Sequence, residues 1–390
     1  LSLPALVNAQ QPVNNRISIS DAIDLTKNNL QYQVNNQQIN KGNVQAKTAT
    51  VFGKMGVFAE NEDLRPGDNS GILKIGLSQS ITWPGLYKAQ KNLYNEQTKY
   101  FQAATGNIAL ELKRDVRQTY YQLWYLQDKQ NLYKRLDSIY LSLSNAARVK
   151  VKTGDSPGLD SIAAQVRMSE MRAMLLQTHI EIGILQQSLM QLLYTKDPLL
   201  PLMIPLEKLE MPGSNADSTH PLLLLQSQNI NIANAGIQVI KNENRPEFSG
   251  RFFSQRLYGT KDPFTGFSVT AAFPLFGAGA YKNKIKAAEA EFSLQQKQMM
   301  YREQVLTTQQ LQMRQEVEKN KMMLSFYELS GLKQAEEIIK ASSLAYRAGE
   351  ISFAEMSQFL TQAIDIQKNY LNNLNAYNQS VIQYSYYINQ

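Results

Sequence analysis

The sequence predicts a mainly α-helical protein with a small β part, made by using one unit twice. Three observations carry this. A Pro-containing junction occurs twice, as Ile81-Thr82-Trp83-Pro84-Gly85 and as Phe273-Pro274-Leu275-Phe276-Gly277. A period-two segment precedes each junction and a very long helical pattern follows it. Each long pattern then breaks at a small motif, Thr153-Gly154-Asp155 and Ala348-Gly349-Glu350. Gly85 and Gly277 are separated by roughly 190 residues, as are Gly154 and Gly349, and a repeated interval of this kind marks a structural repeat.

Composition sets the outer bounds. The chain has 390 residues, 43% of them hydrophobic and 19% charged, which is the balance of a folded protein and not of a disordered one. Cysteine is absent from these residues, so no disulfide, thiolate metal site, cysteine nucleophile or lipidated N-terminal cysteine is expected. A cysteine-free chain sits comfortably in an oxidising periplasm. The net charge of +7 comes from Lys and Arg spread beside Asp, Glu and Gln, with no run of five. Solvated helix faces explain it, and no nucleic-acid patch is localised.

Residues 1–16 form an apolar and then polar lead-in. Leu1 to Ala9, before Gln10-Gln11, resembles the tail of a secretory signal, and a join to an upstream segment explains it equally simply. The first repeat spans 17–194. Ser20 is the expected N-cap of a helix, with Asp21 in its first turn, running to about Ala49. Val51 to Glu60 reads as a strand and Asn61 to Gly71 as a turn-rich loop. The clearest strand follows. Leu73, Ile75, Leu77, Ile81 and Trp83 fall on one side, with Lys74, Gly76, Ser78, Ser80 and Thr82 on the other. From Leu86 to Lys152 there is no Pro, and ~1.5 Å per residue makes a helix roughly 100 Å long. Leu132, Leu136, Ile139, Leu143 and Ala146 have heptad spacing. After Gly154, Pro157 and Gly158, a return helix to about Tyr194 carries its own stripe of Ile162, Val166, Ser169, Ala173, Leu176 and Ile180.

Residues 195–219 hold Pro198, Pro201, Pro205 and Pro212, and no helix survives that density. They connect to the second repeat, 220–390. A helix from Pro221 to about Asn242 leads to a strand from Pro246 to Tyr258 and a loop from Gly259 to Gly266. Phe267, Val269, Ala271, Phe273 and Leu275 then alternate with small or polar residues. A second long helix, Ala280 to Arg347, and a return helix, Ile351 to about Tyr387, complete the chain.

Half-burial in a soluble sandwich is the usual reading of an alternating strand; contact of the apolar face with lipid is the other. Four strands cannot close a barrel, and open edges cannot sit in lipid. If the apolar faces meet lipid, several chains must share one barrel, and three chains give 12 strands with a lumen. The helix pairs would then form a hollow cylinder, with Ala146, Ala173, Ala341 and Ala345 on its packed seams.

This order of helix, hairpin, junction, long helix, glycine tip and return helix resembles the TolC family of outer-membrane efflux channels. Ile19-Ser20-Asp21-Ala22-Ile23-Asp24-Leu25 with Asn28-Asn29 is similar to that family's opening segment. Trp83, Pro84 and Gly85, with Phe273, Pro274 and Gly277, resemble its barrel-to-helix junctions. Gly154 with Asp160, and Gly349 with Glu355, resemble its tips, where a glycine is followed six residues later by an acid. Gln165 continues that pattern; Leu360, where a second Gln is usual, does not, which weakens the carry-over at the second tip. The resemblance covers residues 17–390 and is nearest to the heavy-metal efflux branch. The absent lipid-anchor cysteine departs from several members.

The resemblance implies a homotrimer in the outer membrane of a Gram-negative bacterium, with its helical part in the periplasm. It implies an exit duct of a tripartite efflux system, passing small substrates such as heavy-metal cations or drugs. The partners implied are a periplasmic membrane-fusion adaptor, an inner-membrane pump of the RND type (in some cases fused upstream) and membrane lipid. It implies that Gly154, Asp155, Asp160, Gly349, Glu350 and Glu355 form the periplasmic tip, gate and adaptor dock. Leu73, Ile75, Leu77, Ile81, Phe267 and Val269 would face lipid. The competing reading of the acids is capping, since Asp160 and Glu355 each fall in the first turn of a return helix. The competing reading of the whole chain is a periplasmic coiled-coil hairpin adaptor.

No catalytic constellation stands out, and no enzyme activity, cofactor or metal is expected. His179 and His220 are the only histidines, and neither has a nucleophile or ligand at a useful spacing. Met168, Met171 and Met174 could touch soft metal ions, but helix packing explains them.

Overall fold

The computed structural model describes residues 15–62, 71–155, 157–202, 205–213, 219–257, 264–273 and 278–390. Most of the lead-in, the tips of both strand loops, and Pro274 to Gly277 of the second junction therefore lie outside the described residues. By its contacts the chain divides into two units: residues 34–107 with 221–304, and the remainder.

In the first of these units, two hairpins form one antiparallel sheet. The order is β2 (Gly56–Glu62), β3 (Ile72–Ile81), β5 (Glu247–Leu257) and β6 (Phe264–Ala272). The repeats are joined through β3 and β5, with Leu77 opposite Phe252 and Ile81 opposite Phe248. Strand alternation appears directly as exposure. Val57, Ile75, Leu77, Ile81, Phe252, Phe267 and Val269 all lie on one face and are exposed. Trp83, expected on this face, lies past the end of β3, because Pro84 begins the next helix.

The helical part of this unit is held by small residues and amides more than by an apolar core. Gly42 of α2 (Leu30–Thr48) lets Thr98 of α3 (Pro84–Thr153) approach so closely that a Cβ would sit 2.3 Å from its Oγ1. Asn35 donates from Nδ2 to the Phe101 carbonyl and to Thr105 Oγ1, both at 2.9 Å. In α5 (Pro221–Glu243), Gln226 donates to the Gln295 carbonyl of α6 (Ala278–Phe326) at 3.0 Å, and Gln228 to the Glu96 carbonyl of α3 at 3.0 Å.

The other unit carries the apolar cores. One contains Tyr120, Leu123, Trp124, Leu189, Leu193, Leu324 and Val381. The second contains Leu136, Tyr140, Leu143 and Ala147 of α3, Ala164 and Met171 of α4 (Gly158–Leu193), Tyr346 of α7 (Leu332–Ala348), and Phe353, Met356 and Leu360 of α8 (Phe353–Tyr387). Met168 and Met174 pack against this second core, so the methionine cluster is helix packing.

Several expectations are corrected. The first helix does not run unbroken to Ala49. Ser18, not Ser20, caps α1 (Ile19–Leu25), accepting from the Asp21 N–H at 3.1 Å. A 3₁₀ turn at Thr26–Asn28 follows. Asn29 then takes an extended backbone and donates from its side chain to the Leu192 carbonyl at 2.8 Å. The second long helix is also broken. A π-helical turn, Tyr327–Gly331, separates α6 from α7. The α4 stripe is the opposite of the expected one. Ile162, Val166, Leu176 and Ile180 are each more than half exposed, whereas Ala164, Met171, Thr178 and Ile182 are buried. Among the expected seam alanines, Ala146 and Ala345 are partly buried, while Ala173 and Ala341 are exposed.

Among its described residues the connector has no helix, as expected, and it is clipped down by side chains from the helices. Leu199–Pro201 forms β4, which pairs in parallel with β1 (Asn15–Ile17). Asp128 Oδ2 accepts the Leu206 N–H at 2.7 Å. Asn378 accepts the Leu209 N–H at 2.9 Å and donates to the Glu207 carbonyl at 2.8 Å. These bonds satisfy backbone groups that no ladder reaches.

Candidate functional site: the paired helix tips and the strand junctions

Both tips are built by the same backbone device. At the first, the Asp155 N–H donates to the Lys150 carbonyl at 2.8 Å and the Gly154 N–H to the Val151 carbonyl at 3.3 Å. At the second, the Glu350 N–H donates to Ala345 at 2.9 Å and the Gly349 N–H to Tyr346 at 3.2 Å. This is the Schellman pattern, which requires a left-handed residue after the helix. Gly154 (φ 83°) and Gly349 (φ 80°) supply it, and nothing crowds either position, so conformation alone demands glycine there.

The return helices start differently. Ser352 caps α8 in a full capping box. Its Oγ accepts the Glu355 N–H at 3.2 Å, and Glu355 Oε2 accepts the Ser352 N–H at 2.8 Å. The Ser352 N–H and hydroxyl, both donating to Glu355 Oε2, hold the Glu355 carboxyl below its ordinary range. Pro157 stands at the start of α4 without a side-chain cap, and Asp160 occupies the first turn. Asp155 and Glu350 are exposed; Asp155 Oδ2 accepts from the Thr153 hydroxyl at 2.6 Å.

One contact of the tips is not visible in the sequence. Lys150, at the end of α3, donates from Nζ to the Tyr346 carbonyl at 2.6 Å and lies 4.3 Å from the centre of the Tyr346 ring. That carbonyl is among the last of α7, where a helix is most electronegative. The Tyr346 ring packs edge-on against Phe353, with centroids 5.9 Å apart. Burial pushes the Tyr346 phenol up, and the charge of Asp160 adds to the shift. The hydroxyl is buried with no hydrogen-bond partner among the described residues. Residues from both repeats therefore meet here: Lys150 and Asp160 from the first, Tyr346 and Phe353 from the second.

At the first junction, Pro84 opens α3 and Trp83 packs beside Phe248, with ring centroids 6.3 Å apart. Gly85 lies so close to Trp83 and Asn242 that a Cβ would stand 2.4 Å from Asn242 Oδ1. Close approach thus explains this glycine. At the second junction only Phe273 is described, and it is exposed. Of the residues expected to meet lipid, Ile75, Leu77, Ile81, Phe267 and Val269 are exposed on one face, and Leu73 is partly covered.

His220 is a packed core residue. Its ring nitrogen bonds the Tyr386 carbonyl at 3.1 Å, and burial lowers its pKa. His179 is exposed on α4. Among the described residues, no three His, Asp or Glu side chains are grouped to hold a metal ion. Among the described residues, no helix is long and apolar enough to cross a membrane.

Two hairpins in one sheet, with two long helix pairs, is the single-chain architecture of solved outer-membrane channels, and the fold is TolC-like. The CmeC outer membrane channel of Campylobacter jejuni matches with a TM-score of 0.79 at 12% identity, over 100% of this chain and 93% of that one. The outer membrane protein VceC of Vibrio cholerae matches at 0.77 and 12%, over 95% of each chain. A membrane protein from Pseudomonas aeruginosa matches at 0.80 and 14%, over 96% and 91%. No protein-family model and no curated protein matches the sequence. At such identities the likeness is one of fold, and it separates no branch of these channels from another.

Proposed function

We propose that the chain is one protomer of a trimeric outer-membrane exit duct in a tripartite efflux system. The observation that carries this is the four-stranded sheet. One face is apolar and exposed, and β2 and β6 have no further strand partner among the described residues. An apolar face meets lipid without cost, but unpaired edges do not. Pairing β2 of one copy with β6 of the next removes every edge, and three copies give a 12-stranded barrel around a lumen. The exposed stripe of Ile162, Val166, Leu176, Ile180 and Ile184 on α4 supports the same reading, because a neighbouring copy would cover it.

In this reading the strands sit in the outer membrane and the helices in the periplasm. The duct does no chemistry. The tips at Gly154 and Gly349 form the gate and the dock for a membrane-fusion adaptor. Asp155 and Glu350, exposed there, give the mouth a ring of acids when repeated threefold. An inner-membrane pump, of the RND type by analogy of fold, supplies the energy and the cargo, whether heavy-metal cations or drugs. Opening is a shift between two states of the tip helices, biased by the adaptor. The capping role of Glu355 makes it a structural member of the tip; Asp155 and Glu350 are the acids free to face cargo or adaptor.

The test is extraction from membranes in detergent, light scattering of the purified species, and conductance in planar bilayers. The expected result is a particle of three times the 44.2 kDa protomer that inserts and conducts. A monomer that stays soluble without detergent and never inserts refutes the duct and favours a periplasmic hairpin adaptor.

A further inference from the structure

Of the charged residues of the sheet, Glu60, Glu62, Lys74, Glu247 and Arg251 lie on the face opposite the apolar one, and Arg256 lies on the apolar face, opposite Leu73. In register, Glu60 stands opposite Lys74, and Ser78 opposite Arg251. On the same face, Phe58, Gly76, Phe253 and Gly266 form one row across all four strands. Arg251 does not project away from this surface. From β5 it reaches past β3 to β2, where its guanidinium carbon lies 3.8 Å from the centre of the Phe58 ring and its Nη2 pairs with Glu60. Gly76 and Ser78 on the intervening strand are small enough to let it pass. Lys74 behaves likewise. Its Nζ is 2.5 Å from Glu62 Oε1 and 5.8 Å from the Phe253 ring centre. The Phe253 ring in turn lies down on Gly266, where a Cβ would meet it at 2.7 Å.

Each cation on this face is thus laid along the wall, on an aromatic ring and beside an acid. The further charge on this face, among the described strand residues, is Glu247 at the start of β5. A paired charge at contact distance presents a short-range dipole, which salt screens within about 8 Å. An unpaired acid repeated around a pore would instead form a cation-selective ring.

Resting on the barrel reading above, we infer that Arg251 is a specificity-determining residue. By compensating Glu60 it keeps the lumen wall neutral along the rows away from Glu247 at the start of β5, so that this strand-side part of the duct passes solutes of either charge. The Lys74–Glu62 pair does the same one row further along. Discrimination by charge is then left to the other end of the duct.

The test is reversal potential in a KCl gradient across planar bilayers. Arg251→Gln leaves Glu60 uncompensated in each protomer, adding to Glu247, and the potassium-to-chloride permeability ratio should rise by at least about threefold. Glu60→Gln should move the ratio the opposite way. The double variant Arg251→Gln/Glu60→Gln should return it to the wild-type value. Hexamminecobalt(III) added from the strand side should block Arg251→Gln at a lower concentration than wild type, a readout local to that end of the duct. A conducting wild type whose ratio and block are unchanged by Arg251→Gln, or a double variant that does not return, overturns the inference and leaves the duct intact. A wild type that never conducts overturns the barrel reading, and this inference with it.

Discussion

If the tips form the gate proposed above, Lys150 is the residue whose loss should open them. Its ammonium makes one charge-assisted hydrogen bond to the Tyr346 carbonyl at 2.6 Å and lies over the same residue's ring at 4.3 Å. A hydrogen bond to a charged group contributes ~1.5–3 kcal/mol, and a cation–π contact at a partly exposed site ~0.5–1 kcal/mol. Lys150 is half-buried, so solvent competes for both. A net tie of ~1.5–2 kcal/mol between α3 and α7 remains. At about 1.4 kcal/mol per tenfold, Lys150→Met should shift the balance of shut and open tips toward open by ~10–30-fold. Methionine keeps the length of the stem and removes the donors. Single-channel recording reads the shift as open probability. Lys150→Arg, which keeps a charge and donors, should fall between methionine and wild type. If Lys150→Met lowers thermal stability but leaves open probability unchanged, the contact is a structural tie and the gating argument fails.

Two further predictions concern the helical unit. Gly349→Ala should destabilise by ~1–2 kcal/mol, the left-handed penalty alone, since nothing crowds the site. Gly183→Ala, equally uncrowded but mid-helix, should gain ~0.5–1 kcal/mol. Equal effects in thermal melts would contradict the conformational account of the tip. The Asp128 carboxyl is pushed up by burial, against the pull of the Leu206 N–H. The folded state therefore holds its proton more tightly than the unfolded state. Its contribution is most favourable below the unfolded pKa and declines as pH rises through the higher folded pKa. Asp128→Asn, which keeps an acceptor for Leu206, should raise the melting temperature near pH 7 and lose that advantage below about pH 4. An advantage that persists at low pH would show that ionisation of Asp128 is not the cause.

The strands and the glycine tips were legible because each rests on local chemistry. Leu73 to Ile81 alternates with period two, and Gly154 and Gly349 end helices that have no other glycine nearby. What was illegible is what local spacing does not encode. In α4, the Ile162–Ile180 stripe and the Ala164–Ile182 stripe both have helical periods. Only the packing of α3 and α8 against one of them decides which is buried. The π-helical turn at Tyr327–Gly331 leaves the apolar pattern on either side intact, and Gly331 is its one local mark. The break at Asn29 depends on its side chain reaching Leu192, far along the chain. The Lys150–Tyr346 contact joins residues 196 positions apart, so a reading by local motif found the tip acids and missed the tie between the tips.

The central claim, that neighbouring copies close the barrel edge to edge, can be tested by a direct cross-link. The chain has no cysteine, so an introduced pair reports without background. Ala59→Cys on β2 is combined in turn with Thr265→Cys, Phe267→Cys, Val269→Cys and Ala271→Cys on β6, all on the same face of the sheet. Within one chain, β3 and β5 separate the two edges. The account predicts that at least one pairing, oxidised in native membranes, gives covalent dimers and trimers that collapse to monomer on reduction. Monomer alone at every pairing, from membranes that contain the folded protein, would contradict it.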